Sequence, residues 1–508
     1  MCAAGYDGLW PTGKADRPVY LWIREGRIDI RDGADTWGLD TCQRQALVEQ
    51  RIGERGARVA VVGPAGEKGV LFSGIFCDHG MTAGGTGLGA VTASKNPKAI
   101  AVRGSIKPAL VDPVGSGLSA LGQTGKLRQH NEARVLHELG TACGAKYAEY
   151  LGAMPAKYFH QGVFEPVDDV SVEAMTERLL AGHSICHGCV IARGRVMRLE
   201  VGRKHKGPEY EIISSFGPNL LVSDLETIAR LGEACDWYGM DTISLGNSIG
   251  LAFRLFEMGK ITRRETGGAD LRWDDADAAL RLIEMTARRQ GIGDLIARGA
   301  RRLAKHFGAE AEAVQVNGQE APYHNPRSVS GMALVYAASP RGTCHSQSDY
   351  FFVDWGHTRA GVGIEYYSRH VHADKAANVA RHQDWRTVYN ALVMCIFANV
   401  GPSTQVSLIN AACGLGWTVE EMMSAGERGW NLGRAINHHL GLTAQNDRLP
   451  RVFLEQLPSG GSEGFTLDLQ GMLYAYYDAR GWDMLSGRPS RHKLEGLELE
   501  DVARDLWD

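Results

Sequence analysis

Along the first hundred residues, apolar side chains recur at every second position. RPVYLWIREGRIDIRDG holds two such runs, Val19 to Ile23 and Arg27 to Ile30, joined at Glu25-Gly26. Alternate side chains of a strand share one face of a sheet, so the pattern predicts a β-hairpin. ARVAVVGPAGEKGVLFSGIF predicts a strand, a turn at 63–66 and a second strand from Val70, and KAIAVRG at 98–104 predicts another. The chain itself reads as opening in a strand, AGYDGLWPTG, with an unpaired edge.

From about residue 106 the apolar period becomes helical. SDLETIARLGEACDWYG predicts a helix opened by a capping box, Ser223 with Glu226, and stopped at Gly239. DAALRLIEMTARRQ (277–290) and VEEMMSAGERGWNLGRAINHHL (419–440) carry the same amphipathic spacing. The Gly-, Ser- and Pro-rich stretch 106–135 is the candidate domain boundary. A β-rich front followed by a helical remainder implies an α+β fold.

Composition narrows the class. A chain of 508 residues exceeds one hydrophobic core, so two to four domains are expected. The net charge of -4 argues against a nucleic-acid partner, and no apolar run is long enough to span a membrane. The start, MCAAGYDGLW, shows no export signal. With 10 scattered cysteines and one close pair, reduced thiols in the cytoplasm are expected rather than a disulfide framework.

Several short stretches carry side chains suited to chemistry. HSICHGCVIARGRV places Cys186 and Cys189 in a CxxC with Arg193 four residues on, where a third thiol of a cluster-binding run would stand. A guanidinium has no lone pair for a metal. The CxxC can also be read as a zinc site completed by His183 or His187. AGGTGLGAV (Ala83 to Val91) is a glycine loop whose amides can approach an anion, though a tight packed turn explains it equally well. CDWYGMDTIS carries Asp236, Gly239, Met240 and Asp241, which alone read as a helix C-cap and the next N-cap. HKGPEYEII, QEAPYHNPRS, ASPRGTCHSQSDY and YNALVMCIFANVG add Glu209, Glu211, Cys344, His345 and Cys395. Singly, such residues are usually structural.

In order, these motifs resemble the aldehyde ferredoxin oxidoreductases, the tungsten-pterin enzymes. The resemblance runs from AGYDG at residue 4 to ARGWD at 479–483, with GPAGE, SKN, KAIAV and RGTCH the closest matches. It implies a β-rich pterin-binding domain over 1–105 and two mainly helical domains over 106–316 and 317–508. It further implies oxidation of an aldehyde or related carbonyl to a carboxylate at a tungsten- or molybdenum-bis-pterin centre. Electrons would leave through an iron–sulfur cluster to ferredoxin or a similar carrier.

Residue by residue, the resemblance implies Glu211 as general base and His345 as hydrogen-bond donor or proton holder. Pterin contacts fall on Gly84, Gly85, Gly87 and Gly89, on Asp236, Gly239, Met240 and Asp241, and on Asn390 and Met394. Cluster ligands fall on Cys186, Cys189 and Cys395, giving a cluster with only three cysteine ligands.

The departures are specific. Gly85 stands where the family has a phosphate-binding arginine, Asn390 where it has an aspartate, Val393 where it has a glycine, and Arg193 where it has the fourth cluster thiol. The family's Glu-x-x-His motif is replaced by Arg230 and Glu233. Most of the family's N-terminal portion is expected to be missing, with a separate polypeptide or a longer gene product supplying it. Because these departures fall on cofactor contacts, a non-catalytic scaffold or partner subunit is the alternative function.

Overall fold

The computed structural model describes residues 1–78, 80–200 and 203–508. Its front half-domain is a six-stranded sheet of β1 (Val19–Arg24), β2 (Arg27–Asp32), β3 (Arg58–Val62), β4 (Ile75–Cys77), β5 (Met81–Ala83) and β6 (Pro97–Arg103). The strand order is β2-β1-β6-β3-β4-β5, with β1 and β6 parallel and the other pairs antiparallel. The predicted hairpin is present. Glu25 and Gly26 both take positive φ (44° and 76°), as a two-residue turn matched to the strand twist requires.

Tyr20, Trp22, Val59, Val61, Phe76, Ala99 and Ala101 form the sheet's own core with Val48 of the helix Thr41–Ile52. That helix starts at a full capping box, Asp40 with Gln43. Its Arg44, fully buried, donates to Thr36 O (2.8 Å) and pairs with Glu67 (2.6 Å).

Two local expectations fail here. The chain does not open in a strand: Cys2–Ala4 is a single 3-10 turn. The outer edge is β2, whose Arg27, Asp29, Arg31 and Asp32 are charged, a disposition that discourages further pairing. The turn expected at 63–66 is helical, Pro64–Glu67, with proline at its first position and Glu67 paired with Arg44. The following strand therefore begins at Ile75, not Val70.

The rest is mainly helical. The helix Leu225–Tyr238 is capped by Asp224, whose side chain accepts from Thr227 N, rather than by Ser223. Two other predicted helices lie at Ala276–Arg288 and Val419–His439. Within the stretch 106–135, Pro113–Gln129 is a helix and Asn131–Leu139 follows it.

A small sheet of β7 (Leu180–Ser184), β8 (Gly194–Glu200) and β9 (Arg203–Lys206) interrupts the helices. The sequence pattern does not foresee it, and it holds the CxxC in its first loop. One large core runs through the helical part, crossed by buried ion pairs such as Lys375–Asp354 (2.5 Å) and Arg386–Asp349 (2.5 Å). Among the described residues, no helix is long and apolar enough to cross a membrane.

Candidate active site

The sheet meets the helical part at a glycine contact. A Cβ on Gly63 would lie 2.2 Å from Tyr238 O, so only glycine permits this approach. The helix Leu225–Tyr238 ends at Gly239 with φ 78°, and Gly239 O accepts from Gly74 N (3.0 Å). Asp241 N donates to Phe72 O (3.0 Å), and Ser73 and Met240 form a β-bridge. Asp241 caps the next helix, Thr242–Glu257, by accepting from Ser244 N (2.8 Å). The C-cap and N-cap read from the sequence are thus both real, and they also lock this segment to the sheet.

The glycine loop follows β5 and lies against the same carboxylate. A Cβ on Gly84 would sit 2.7 Å from Asp241 Oδ1, and one on Gly85 3.2 Å from Gln319 Nε2. Gly87 and Gly89 pack just as closely on the backbone of Leu71 and Gly74. Asp236 lies 3.4 Å from Lys206 Nζ, which also donates to Gly80 O (2.6 Å). Burial raises the carboxyl pKa of both Asp236 and Asp241, and for Asp236 the Lys206 charge opposes that rise.

Glu211 opens the helix Tyr210–Phe216. Its Oε2 accepts from Tyr323 N (3.1 Å), while its Oε1 is buried without a hydrogen-bond partner among the described residues. His324 Nε2 lies 3.3 Å from Oε1 and His345 Nδ1 3.9 Å, and one polar atom from each of the three residues falls within 4.8 Å of the others. Burial pushes the Glu211 carboxyl up to about 8, against the Tyr323 N–H and with help from the Asp241 charge. Burial also lowers His345 to about 4 and takes His324 well below the usual imidazole range. Burial thus favours the neutral form of both rings, in which one nitrogen donates and the other accepts.

The CxxC occupies the β7–β8 loop, where Cys189 N donates to Cys186 O (3.1 Å). Cys186 and Cys395 are exposed, Cys189 is half-buried, and all three are free thiols. Burial raises the Cys186 pKa, the nearby Cys189, Cys395 and Asp78 add to that rise, and Arg193 opposes it. The helix Asn131–Leu139 ties the two cysteine segments together: His137 Nδ1 bonds Ile191 O (2.7 Å), and Glu132 accepts from Asn399 Nδ2 (2.7 Å).

Arg193 lies close enough to Cys186 to act on its thiol, but its guanidinium is engaged by other groups. It is ion-paired with Glu209 and lies 4.6 Å from the Phe397 ring. Val393, in the place of the family glycine, keeps a glycine-like backbone at φ 54° and is 91% exposed. Asn390 is exposed at the end of the helix Ala376–Ala391, and Met394 packs on the main core. No hydrogen bond or ion pair joins this segment to Asp236 or Asp241 among the described residues.

Sequence reasoning missed His324, Cys77 and the Arg193–Glu209 pair. His324 lies in a stretch that stood out, PYHNP, but a lone histidine carries no signal of a partner 113 positions earlier. Cys77 on β4 neighbours Cys186, whose charge raises the Cys77 thiol pKa beyond what burial and Asp78 already do.

The donor set fits the cofactors that the motifs imply. Cys189 and Cys395 are near enough to Cys186 for their charges to raise its thiol pKa, and soft thiol donors are the type that an iron–sulfur cluster needs. Beside the Asp241 junction, Glu211 Oε1 and His324 Nδ1 are buried polar atoms with no partner among the described residues, which suits a site built around a further polar group.

Comparison with known proteins agrees. The model for the aldehyde ferredoxin oxidoreductase N-terminal domain matches residues 1–104, and the model for domains 2 and 3 matches residues 122–499. The first match overturns the expectation that most of the N-terminal domain is missing. The tungsten-containing aldehyde ferredoxin oxidoreductase of Pyrococcus furiosus is 35% identical over 504 residues, covering 98% of this chain and 82% of that protein. The Thermococcus kodakarensis protein of the same name is 34% identical over the same shares. An aliphatic sulfonate oxidoreductase, WOR-like subunit, of Pyrococcus furiosus is 26% identical over 99% of this chain and 82% of that protein. Among solved structures, the active-site complex BamBC of benzoyl coenzyme A reductase superposes with a TM-score of 0.78 at 20% identity, covering 97% of this chain and 81% of that one. That likeness speaks to the fold.

Proposed function

The chain belongs to the aldehyde ferredoxin oxidoreductase family of oxidoreductases, and from this premise we propose that it oxidises an aldehyde, or a related carbonyl substrate, to a carboxylate. The observation that carries the proposal is the Glu211–His324–His345 cluster, with an unpartnered carboxylate oxygen beside the Asp241 junction. When bound, a tungsten- or molybdenum-bis-pterin group supplies the two-electron redox chemistry, and an iron–sulfur cluster gives the electrons an exit.

Gly84, Gly85, Gly87 and Gly89 would hold the pterins together with Asp236, Gly239, Met240 and Asp241, and with Asn390 and Met394. Cys186, Cys189 and Cys395 would hold the cluster. Glu211 takes a proton from water at Oε1, a role suited to a carboxyl tuned to about 8. His345, a neutral imidazole, donates a hydrogen bond to the substrate oxygen. Ferredoxin or another iron–sulfur carrier in the cytoplasm accepts the electrons.

Anaerobic purification followed by metal, iron and pterin analysis tests this, together with aldehyde-dependent reduction of a viologen dye. Near-stoichiometric tungsten or molybdenum with dye reduction is expected. A chain without heavy metal, iron or turnover would instead establish the second reading, a non-catalytic scaffold or partner subunit. Arg193, Gly85, Asn390 and Val393, all at cofactor positions, favour that second reading.

A further inference from the structure

His324 is set in the site with unusual rigidity. Its ring is stacked between Phe351, at 3.8 Å and 9°, and Tyr210, at 4.8 Å and 16°. The backbone that carries it is pinned by two tyrosine hydroxyls: Tyr210 Oη donates to Tyr323 O (2.8 Å) and Tyr336 Oη to His324 O (3.0 Å). The residue is 5% exposed. An imidazole wedged between two rings is hindered from turning away, so its Nε2 is kept near Glu211 Oε1, at 3.3 Å, beside a buried oxygen that makes no hydrogen bond among the described residues.

We propose that His324 is a further positioning residue of this site, whose Nε2–H holds the Glu211 carboxylate at Oε1 whenever that carboxyl is ionised. The proposal rests on the reading of Glu211 as proton acceptor given above. An ionised carboxylate in this pocket has Tyr323 N–H on Oε2 and needs a second donor on Oε1, since a buried charge with an empty acceptor is costly. The other titratable groups around Glu211 do not supply one. Asp241 repels the charge, Tyr210 Oη and Tyr336 Oη donate instead to the carbonyls of Tyr323 and His324, and the Tyr323 hydroxyl is turned to Ser215. His345 stands farther off at 3.9 Å, under the influence of Asp349 and Arg341. Burial keeps the His324 ring neutral, and a neutral ring with its proton on Nε2 is a donor toward Oε1.

The test reads the carboxyl directly on the purified full chain. The infrared band of protonated Glu211, recognised by its loss in E211Q, is titrated with pH in wild type, H324F and H324Q. Phenylalanine keeps the ring stack and removes the donor, whereas glutamine keeps a donor. The midpoint is expected to rise by about one pH unit or more in H324F and to stay near wild type in H324Q. Where turnover is measurable, its pH profile shifts in parallel. An H324F midpoint equal to wild type overturns the proposal, as does an equal shift in H324Q. If H324F does not fold, F351L, which loosens the imidazole without removing its donor, must raise the midpoint, and no shift there overturns the proposal. Because the band is read without turnover, a chain that oxidises no aldehyde yet titrates as expected refutes the reaction alone.

Discussion

Arg193 is ion-paired with Glu209, two residues before Glu211, and its guanidinium also covers the Phe397 ring, two residues after Cys395. One side chain thus connects the CxxC loop, the last cysteine segment and the start of the Glu211 helix. Where the family resemblance expects a fourth thiol, the chain has a cation engaged by a carboxylate and a ring, and the proposed cluster would have Cys186, Cys189 and Cys395 as its ligands.

Iron analysis and electron paramagnetic resonance of anaerobically prepared protein should therefore show a cluster of three thiolates, with one iron carrying a non-cysteine ligand or lost. Arg193→Cys should raise the iron content and remove any three-iron signal. If wild type already holds four irons through four thiolates, the three-cysteine assignment is wrong. Cys77, the neighbour of Cys186 on β4, is then the thiol to replace by serine.

Glu211→Gln keeps the shape and removes the base. Turnover should fall by ~10²–10⁴ with metal and pterin content unchanged. Wild-type turnover should rise with pH through about 8, as the raised carboxyl ionises, and this limb should be absent from the residual activity of the variant. The stability sign follows from the same shift. The folded carboxyl binds its proton up to about 8, whereas in the unfolded chain it has lost it by the ordinary range near 4.5. Its contribution to stability is therefore present below that range and is lost as pH rises toward 8. Denaturation curves of E211Q across this window should be flatter than those of wild type. Unchanged turnover at normal metal content would remove Glu211 from the mechanism.

Val393 holds φ 54°, a conformation that is strained for a β-branched side chain and free for glycine. Because the side chain is exposed, Val393→Gly loses little packing. The substitution should stabilise the protein by about 1 kcal/mol, the typical left-handed penalty. A lower melting temperature would show that the valine makes contacts that outweigh its strain.

Lys375 and Asp354 form an ion pair with both side chains 0% exposed. Lys375→Ala leaves the carboxyl buried without its cation and should cost ~3–5 kcal/mol in chemical denaturation. Lys375→Met with Asp354→Asn should cost much less, because neither charge is then stranded. Equal losses in the single and double variants would mean that packing, not the charge, sets the cost.

Local pattern determined a good deal about this protein. Two alternating runs around Glu25-Gly26 could only become a tight hairpin, and Asp241 and Gly239 have the chemistry of helix caps whatever lies around them. The order of glycine loop, CxxC, GPEYE, DWYGMD and RGTCH is enough to identify the family, and with it the α+β class. These features depend on neighbours in the chain, and spacing records neighbours. Tertiary structure decided the rest. His324 approaches Glu211 across 113 positions, Arg193 pairs with Glu209 and lies over Phe397, and Val393 has a backbone shaped for glycine. β7 to β9 form within a stretch that reads as helical. Each of these follows from how distant segments pack. A side chain's partner, its loss of water and hence its protonation are set by atoms brought near in folding, about which its own stretch of sequence says nothing.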